Sequence, residues 1–391
     1  MKEIRNHRDL AINGAQPAFP NPLHVGRPNV GSRETFLQLT REMFERAWFS
    51  NNGPLLHDFE QRIAAYLGVK HCVAMCNGTI ALEIAIRAVG LTNEVIVPSY
   101  TFIATAHALY WQGITPVFAD IDPRTQNLDP AAVLRMITPR TTGIIGVHLW
   151  GRPAPVEALQ SIADEHGLRL MFDAAHAFGC SHGGRMIGAH GACEVLSFHA
   201  TKFFNTFEGG AVVTGDDELA ERMRLMRNFG FIGYDNVIHP GTNGKMIEVC
   251  AAMGLANLES IDAAIDANRR NYHAYREALA ELPGITVLEY DESERNNFQY
   301  IVLEVGDRCP VSRDGIVRAL QAENILARKY FWPGCHKMSP YRELYPHAGL
   351  VLPNTERVSE RVVVLPTGMA LPDGAVASIA EILRVLVREA G

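Results

Sequence analysis

A lysine set among aromatic residues is the first feature of this 391-residue sequence that could carry chemistry. Lys202 stands in the segment SFHATKFFN, with Phe198 before it and Phe203 and Phe204 directly after it. Burial lowers the pKa of an amine, and a neutral amine is the nucleophile that forms Schiff bases with aldehydes. The alternative is a surface lysine that lays its alkyl chain over apolar neighbours and keeps its charge in water.

An acidic residue closes an apolar segment in RLMFDAAH, where Asp173 is followed three positions later by His176. Open α/β sheets bind ligands at the carboxyl ends of their strands, and a carboxylate there needs a cation or several hydrogen bonds. A protonated pyridine nitrogen is one such cation, because the anion keeps the ring protonated and able to accept electrons. A helix cap or a pair with arginine would also satisfy Asp173.

A third candidate is the junction Asn77-Gly78-Thr79, between the apolar segment CVAMC and the helical segment IALEIAIRAVG. Free N–H groups at a helix N-terminus, together with the helix dipole, bind anions such as phosphate. Gly78 would let the backbone approach an oxyanion, and Thr79 would add a hydroxyl group. The alternative is an ordinary helix cap without a ligand.

The three features together match the three handles of pyridoxal 5′-phosphate, which are its phosphate, its ring nitrogen and its aldehyde. An aromatic ring stacked on the cofactor face is a usual fourth contact. Either Tyr100 or Phe102, which follow the apolar segment EVIVP, could supply that ring. The sequence therefore predicts a site for this cofactor around Lys202.

Alternating apolar and helical segments over residues 71–214 predict the sheet that positions these residues. A strand–helix–strand order favours an α/β fold with a mostly parallel seven-stranded sheet covered by helices on both faces. The short connection between the last two strands allows an antiparallel strand at one edge. The predicted strands are His71–Met75, Glu94–Pro98, Thr115–Ala119, Thr142–Val147, Arg169–Phe172, Val195–Ser197 and Ala211–Thr214.

The chain divides into three predicted regions. Residues 1–30, which are rich in Asn, Pro and Gly, are expected to form an extended N-terminal arm. Residues 31–255 would form the large domain that binds the cofactor. Residues 256–391 would form a smaller α+β domain, entered through a long helical stretch from Met253 to Leu282.

Composition narrows the class of protein. A net charge of -7 gives no reason to expect nucleic acid or an anionic membrane as a partner. The polar N-terminus, and the lack of any apolar run of roughly 18 residues, favour a soluble cytoplasmic protein. Seven cysteines without CxxC spacing read as reduced thiols, and no further ligands accompany the pair Cys335-His336, so no metal is predicted. No GxGxxG follows a strand, which argues against a nicotinamide-dependent enzyme.

Five segments in order, NNGPLLHDFE, NGTIAL, VPSYTFIAT, FDAAHAFG and SFHATKFFNTFEGG, resemble the DegT/DnrJ/EryC1/StrS family of nucleotide-sugar aminotransferases. The resemblance extends from about Leu23 to the C-terminus and implies the type I fold of pyridoxal-phosphate enzymes. It implies Lys202 as the Schiff-base lysine, Asp173 as partner of the pyridine nitrogen, Phe102 as the stacking ring, and Gly78, Thr79 and Ser197 as phosphate ligands.

One position departs from the family pattern. The residue three positions after the acid is often Gln in the family and contacts the hydroxyl face of the cofactor, whereas this sequence has His176. Histidine can also donate a hydrogen bond there. The family includes sugar dehydratases that replace the Schiff-base lysine with His, but this chain keeps Lys202, which favours transamination.

The resemblance also implies a homodimer whose subunits share their active sites. Asn243 or Lys245, in GTNGKMIEV, would reach the phosphate bound by the neighbouring subunit. The segment RKYFWPGCH matches the family region near the sugar, which makes Tyr330 and His336 candidates for substrate binding, with core packing as the alternative. Arg185, in GGRMIG, is a weaker candidate for the nucleotide sugar.

The implied reaction transfers an amino group from L-glutamate to a keto group of a nucleotide-linked deoxysugar. The commonest family substrates favour C4 of a dTDP-linked 4-keto-6-deoxyhexose. Amination at C3 and dehydration of the sugar are the alternatives within pyridoxal-phosphate chemistry. A non-catalytic regulator that keeps the fold is the alternative from another class of protein.

Overall fold

A computed structural model describes residues 2–388. Its α-helices are α1 Arg33–Arg46, α2 Pro54–Leu67, α3 Gly78–Val89, α4 Ala104–Tyr110, α5 Pro130–Met136, α6 Val156–His166, α7 Asp217–Met226, α8 Glu248–Leu258, α9 Ile261–Leu279, α10 Arg313–Ala322, α11 Tyr341–Leu344, α12 Pro353–Ser359 and α13 Ala375–Arg388. Its strands are β1 Leu23–His24, β2 His71–Met75, β3 Glu94–Pro98, β4 Thr115–Ala119, β5 Thr141–Val147, β6 Arg169–Asp173, β7 Ser181–His182, β8 Arg185–Met186, β9 Glu194–Ser197, β10 Gly210–Thr214, β11 Phe231–Ile232, β12 Asn236–Val237, β13 Ile285–Val287, β14 Ile301–Val305, β15 Ile325–Leu326 and β16 Val362–Leu365.

A seven-stranded sheet forms the centre of the molecule, in the order β2-β10-β9-β6-β5-β3-β4. Its members are the seven predicted strands, with ends that differ by no more than one residue, so the predicted α/β sheet is confirmed. Six of the seven strands run in one direction, and only β10 runs in the opposite direction. The antiparallel strand therefore lies one place in from the edge, and the edge strand β2 runs parallel to the rest.

A second, three-stranded antiparallel sheet, β13-β14-β16, builds a separate apolar cluster with residues of α9, α10 and α13. The predicted long helical stretch is two helices, because α8 ends at Leu258 and α9 begins at Ile261. Residues of α8 and the first turn of α9 pack instead into the cluster around α2. The division of the chain near residue 255 stays a prediction.

The N-terminal segment is not the extended arm that its composition predicts. It contains two short 3-10 turns, and Leu10 and Phe19 are buried in the cluster of the second sheet. The buried carboxylate of Glu323 accepts the backbone N–H groups of Ala11 at 2.6 Å and Ala18 at 2.7 Å. Two backbone amides on one carboxylate fix the path of the segment, and strand β1 then pairs in parallel with β15.

A buried carboxylate ties the start of β9 to its surroundings. Oε1 of Glu194 accepts the backbone N–H of Gly188 at 2.9 Å and of His190 at 2.8 Å, and lies 2.7 Å from Nδ1 of His190. Oε2 faces Nε2 of His148 at 3.2 Å. Because Nδ1 of His148 accepts the N–H of Ala154, the neutral ring carries its proton on Nε2, the nitrogen nearer to Glu194.

Glu194 stays ionised in this setting. Burial alone would raise the pKa of Glu194, but the hydrogen bonds from His148 and His190 outweigh it and hold the pKa at about 2. An unfolded glutamate titrates near about 4.3. The carboxylate thus stabilises the fold above that pH, and this contribution, about 3 kcal/mol, is lost as the pH falls toward 2.

We predict that Glu194→Gln is less stable than the unchanged protein at pH 7, and that the difference shrinks as the pH falls from about 5 to about 2. Urea unfolding at several pH values measures the difference in free energy of unfolding. Glu157→Gln is the control, because this carboxylate is mostly exposed beside His182. A difference that stays constant across the acidic range would contradict the assignment.

Candidate active site

One cavity of about 330 Å³ opens at the carboxyl ends of the parallel strands. This is where the topology of an open α/β sheet places its ligands. The cavity brings together residues that are far apart in sequence, from the ends of β2, β6 and β9 and from the segment before β14. Its lining includes eight predicted site residues: Gly78, Thr79, Phe102, Asp173, His176, Ser197, Lys202 and Tyr330.

Lys202 follows β9 in a turn and directs a partly buried side chain into the cavity. Removal of its amine from water lowers the pKa of Lys202 to about 8, and the nearby charge of Asp173 opposes that shift. The amine donates a hydrogen bond to the hydroxyl of Tyr300 at 3.4 Å. About a tenth of the amine is therefore neutral at pH 7, far more than for a lysine in water, and the neutral form is the nucleophile.

Asp173 ends β6 and is buried. Its Oδ1 accepts the N–H of Ala175 at 3.0 Å, and its Oδ2 accepts the hydroxyl of Thr105 at 2.8 Å. Burial raises the pKa of Asp173 despite these hydrogen bonds and the nearby charge of Lys202. A carboxylate in this position gains from any cation that a ligand brings close to it.

The turn after β2 leads directly into α3. Asn77 caps the helix through its side chain, which accepts the N–H of Ile80 at 2.8 Å. Within residues 2–388, the N–H groups of Gly78 and Thr79 have no hydrogen-bond acceptor. Two free amides at the start of a 12-residue helix make this turn a candidate anion site.

The packing explains why glycines border this anion site. A Cβ atom on Gly78 would lie 3.1 Å from Cβ of Ser197. A Cβ atom on Gly210, at the start of β10, would lie 2.6 Å from the backbone nitrogen of Gly78. Strands β9 and β10 can approach the turn closely only because both positions lack side chains, and this approach brings Ser197 to the free amides.

The proton of His176 is placed by the backbone. Nδ1 accepts the N–H of Trp150 at 3.3 Å, so the neutral ring carries its proton on Nε2. Trp150 adopts a left-handed conformation with φ of 62°. Burial, together with the nearby Lys202, lowers the pKa of His176 well below its usual value. His176 is therefore a neutral hydrogen-bond donor at physiological pH.

The structure decides between the two aromatic candidates. Phe102 lines the cavity and is 56% exposed. Tyr100 is buried, and its hydroxyl donates to the backbone carbonyl of Tyr330 at 2.7 Å. Phe102 is thus the ring available to a ligand, while Tyr100 fixes the segment that carries Tyr330.

Four candidates lie outside the cavity. Arg185 is exposed in the β7–β8 hairpin. His336 is buried, with Nδ1 at 2.7 Å from the hydroxyl of Ser99 and Nε2 at 3.3 Å from Glu356, so it supports the wall of the site without lining it. Asn243 is exposed, and Lys245 lies over the ring of Phe229.

Sequence reasoning missed several residues of the site. Thr105 lies in the first turn of α4 and donates to Asp173, and its place in VPSYTFIAT, just after β3, could have indicated it. Phe331 lines the cavity and stacks near His176 with ring centroids 5.9 Å apart. Tyr300 enters from the segment before β14, and no spacing in the sequence relates it to Lys202.

The fold and this cavity are those of an aminotransferase. A model of the DegT/DnrJ/EryC1/StrS aminotransferase family matches residues 31–384, and the chain belongs to this family. Within residues 2–388 no helix combines the length and the apolar character needed to cross a membrane.

Several relatives share most of the chain. The dTDP-4-amino-4,6-dideoxy-D-glucose transaminase of Shigella dysenteriae is 38% identical over 347 residues, which cover 88% of this chain and 94% of the relative. The GDP-perosamine synthase of Caulobacter vibrioides is 37% identical over 327 residues, covering 82% and 87%. A crystal structure of DesI, determined in the presence of its TDP-sugar product, is 51% identical with a TM-score of 0.93 and covers 97% of this chain and 96% of that chain.

Proposed function

We propose that the protein binds pyridoxal 5′-phosphate and transfers an amino group from L-glutamate to C4 of a dTDP-linked 4-keto-6-deoxyhexose. The observation that carries the proposal is the meeting of three groups in one cavity. These are the Lys202 amine with its lowered pKa, the buried Asp173 carboxylate and the free amides of Gly78 and Thr79. Each matches one functional group of the cofactor.

The residues present fit the cofactor. Gly78 and Thr79, with the hydroxyl of Ser197, would hold the phosphate, and Asp173 would face the ring nitrogen. Phe102 would cover one face of the ring. When bound, the cofactor supplies an aldehyde that condenses with a lysine amine and a protonated ring that accepts electrons from a substrate carbon.

Lys202 has two tasks in this proposal. Its neutral amine would hold the cofactor through the aldehyde carbon and would be set free when the donor amine takes its place. The free amine would then serve as general base toward the Cα proton of the donor and as general acid toward the former aldehyde carbon of the cofactor. Asp173 keeps the ring nitrogen protonated throughout, because a buried carboxylate and a cation stabilise each other.

The names of the relatives support the choice of sugar. Transaminases named for dTDP-4-amino-4,6-dideoxy-D-glucose come from Shigella dysenteriae and Escherichia coli, at 38% and 36% identity. Tyr330 lines the cavity, and the guanidinium of Arg328 lies over its ring, so a cation that suits a diphosphate stands next to the site.

We predict that Lys202→Ala abolishes turnover and the visible absorbance of the bond between lysine and cofactor. The assay mixes protein, cofactor and glutamate with nucleotide ketosugars and reads product masses, and NMR of the product identifies the aminated carbon. Lys70→Ala is the control, because this exposed lysine pairs with Asp217 away from the cavity. Turnover by the Lys202 variant, or a colourless unchanged protein that does not react with glutamate, would refute the proposal.

We also propose a homodimer in which each subunit completes the other's site. The β11–β12 hairpin and its flanks carry exposed apolar residues, and Tyr234 is 97% exposed. A cluster of exposed apolar side chains is typical of a surface that binds another protein chain. Asn243 and Lys245 lie on the adjoining segment, since Phe229 contacts Lys245 and donates its N–H to the carbonyl of Thr242.

Shared sites predict complementation between inactive variants. Mixed dimers of Lys202→Ala with Lys245→Ala, or with Asn243→Ala, would contain one intact site, so about a quarter of the activity per subunit should return after random reassembly. The partner that restores activity identifies the residue that reaches across. Sedimentation of the unchanged protein as a monomer, or no recovery with either partner, would contradict shared sites.

His176 would donate its Nε2 proton to the ring hydroxyl of the cofactor. We predict that His176→Leu weakens cofactor binding about tenfold, because one buried hydrogen bond is lost. His176→Gln should bind nearly as the unchanged protein does, because the amide also donates. Fluorescence titration with cofactor between pH 6 and 8 measures both, and the affinity of the unchanged protein should not follow a histidine titration in that range. Equal affinity for the Leu variant would exclude the contact.

A further inference from the structure

We propose that Tyr300 is a positioning residue for Lys202, holding the amine in place while the amine is free to move a proton. This inference rests on the proposed function. It concerns the proton transfer that would follow the release of Lys202 from the cofactor. A released lysine has four rotatable side-chain bonds, and its amine must be brought to one carbon atom. A fixed hydrogen-bond partner would restrict that freedom.

Tyr300 is the partner that the geometry gives the amine. Nζ of Lys202 donates to the Tyr300 hydroxyl at 3.4 Å, and no other hydrogen bond of this amine occurs within residues 2–388. Asp173 is also near, but its two oxygens already accept from Ala175 and Thr105. Within the described part of the chain the phenol is therefore the one hydrogen-bond partner of the amine, while Asp173 acts on the amine through its charge.

The phenol is itself rigidly held. Its ring centroid lies 4.6 Å from that of His176 and 5.2 Å from that of Trp150. The hydroxyl of Tyr290 donates to the backbone carbonyl of Tyr300 at 2.8 Å. The adjacent Gln299 anchors this segment near Lys202, because its Oε1 accepts the N–H of Phe203, the residue next to Lys202, at 3.4 Å.

Tyr300 does not compete with Lys202 for the proton. Burial raises the pKa of Tyr300 well above its usual value, so it remains a neutral phenol. The titratable groups facing the amine are Asp173, the neutral His176 and Tyr300 itself. His199 and Glu208 line the cavity as well.

Loss of the Tyr300 hydroxyl should make the Lys202 amine more reactive near pH 7 but slow its transfer of the Cα proton. A charge-assisted hydrogen bond is stronger than a neutral one, so the phenol stabilises the ammonium form more than the amine form. Tyr300→Phe should therefore lower the pKa of Lys202 below about 8 and make the amine more reactive near pH 7. The same variant should slow proton transfer from Cα, because the amine is less well placed.

Two measurements on Tyr300→Phe test this pair of effects. In full-length protein freed of cofactor, carbamylation of Lys202 by cyanate, followed by mass spectrometry against pH, should show a midpoint lowered by about half a unit. In the cofactor-loaded protein, a single turnover with glutamate should slow about tenfold and show a larger isotope effect with glutamate deuterated at Cα. The dissociation constant of glutamate should change little.

Tyr275→Phe is the matched control, because it removes the hydroxyl of another buried tyrosine, which donates to the carbonyl of Pro366. If Tyr300→Phe folds poorly, Gln299→Leu keeps the phenol but loosens it and should shift both properties in the same directions by less.

A Tyr300 variant that matches the control in both measurements overturns the inference. A general loss of both reactivities would indicate a structural role only and also overturn it. If the unchanged protein does not react with glutamate, the proposed function fails, while the cyanate midpoint still tests the contact.

Discussion

The removal of one lysine amine from water is the constraint on which the rest of the site depends. Lys202 would keep its charge in water, and the cavity lowers its pKa to about 8. Asp173 supports the charge of the amine but is itself destabilised by burial, which raises its pKa. Neither group fully satisfies the other, so the cavity favours a ligand that brings a cation to Asp173 and consumes the neutral amine.

The sheet meets this constraint by topology. Strands β2, β6 and β9 run in the same direction, so their carboxyl ends deliver the anion site, Asp173 and Ser197 to one edge. The antiparallel β10 fits between β2 and β9 because Gly210 lets the backbone of Gly78 approach. A side chain at either glycine would separate the free amides from the turn that carries Lys202.

The periodicity of apolar residues and the spacing of the segments were enough to predict the central sheet. Apolar segments of four to seven residues lie between helices, and each becomes a strand of the central sheet. Of the predicted site residues, Asp173 and Ser197 end strands and Gly78 begins the helix that follows β2. At these places a local pattern and a general rule of α/β folds coincide. Their meeting in one cavity follows from the parallel order alone.

What the sequence could not predict depends on contacts between distant segments. His336 stands beside aromatic and basic residues as a ligand residue would, yet both ring nitrogens face Ser99 and Glu356. The N-terminal segment has the composition of a free arm, but the buried carboxylate of Glu323 holds its backbone. These partners are distant in sequence from the residues that they bind, so no local sequence pattern predicts the contacts.

Two residues that close the cavity come from segments next to the second sheet. Tyr300 precedes a strand of the second sheet, and Phe331 follows α10, whereas Lys202 and Asp173 belong to the first sheet. The hydrogen bond from Lys202 to Tyr300 reaches an apolar cluster that spans the boundary between the two sheets, because this cluster joins Val147 of β5 to side chains of β14 and β16. Because the amine is hydrogen-bonded across this boundary, any shift in the packing of the two sheets changes the placement of Lys202. The packing of the second sheet is thus part of the environment that sets the reactivity of the lysine.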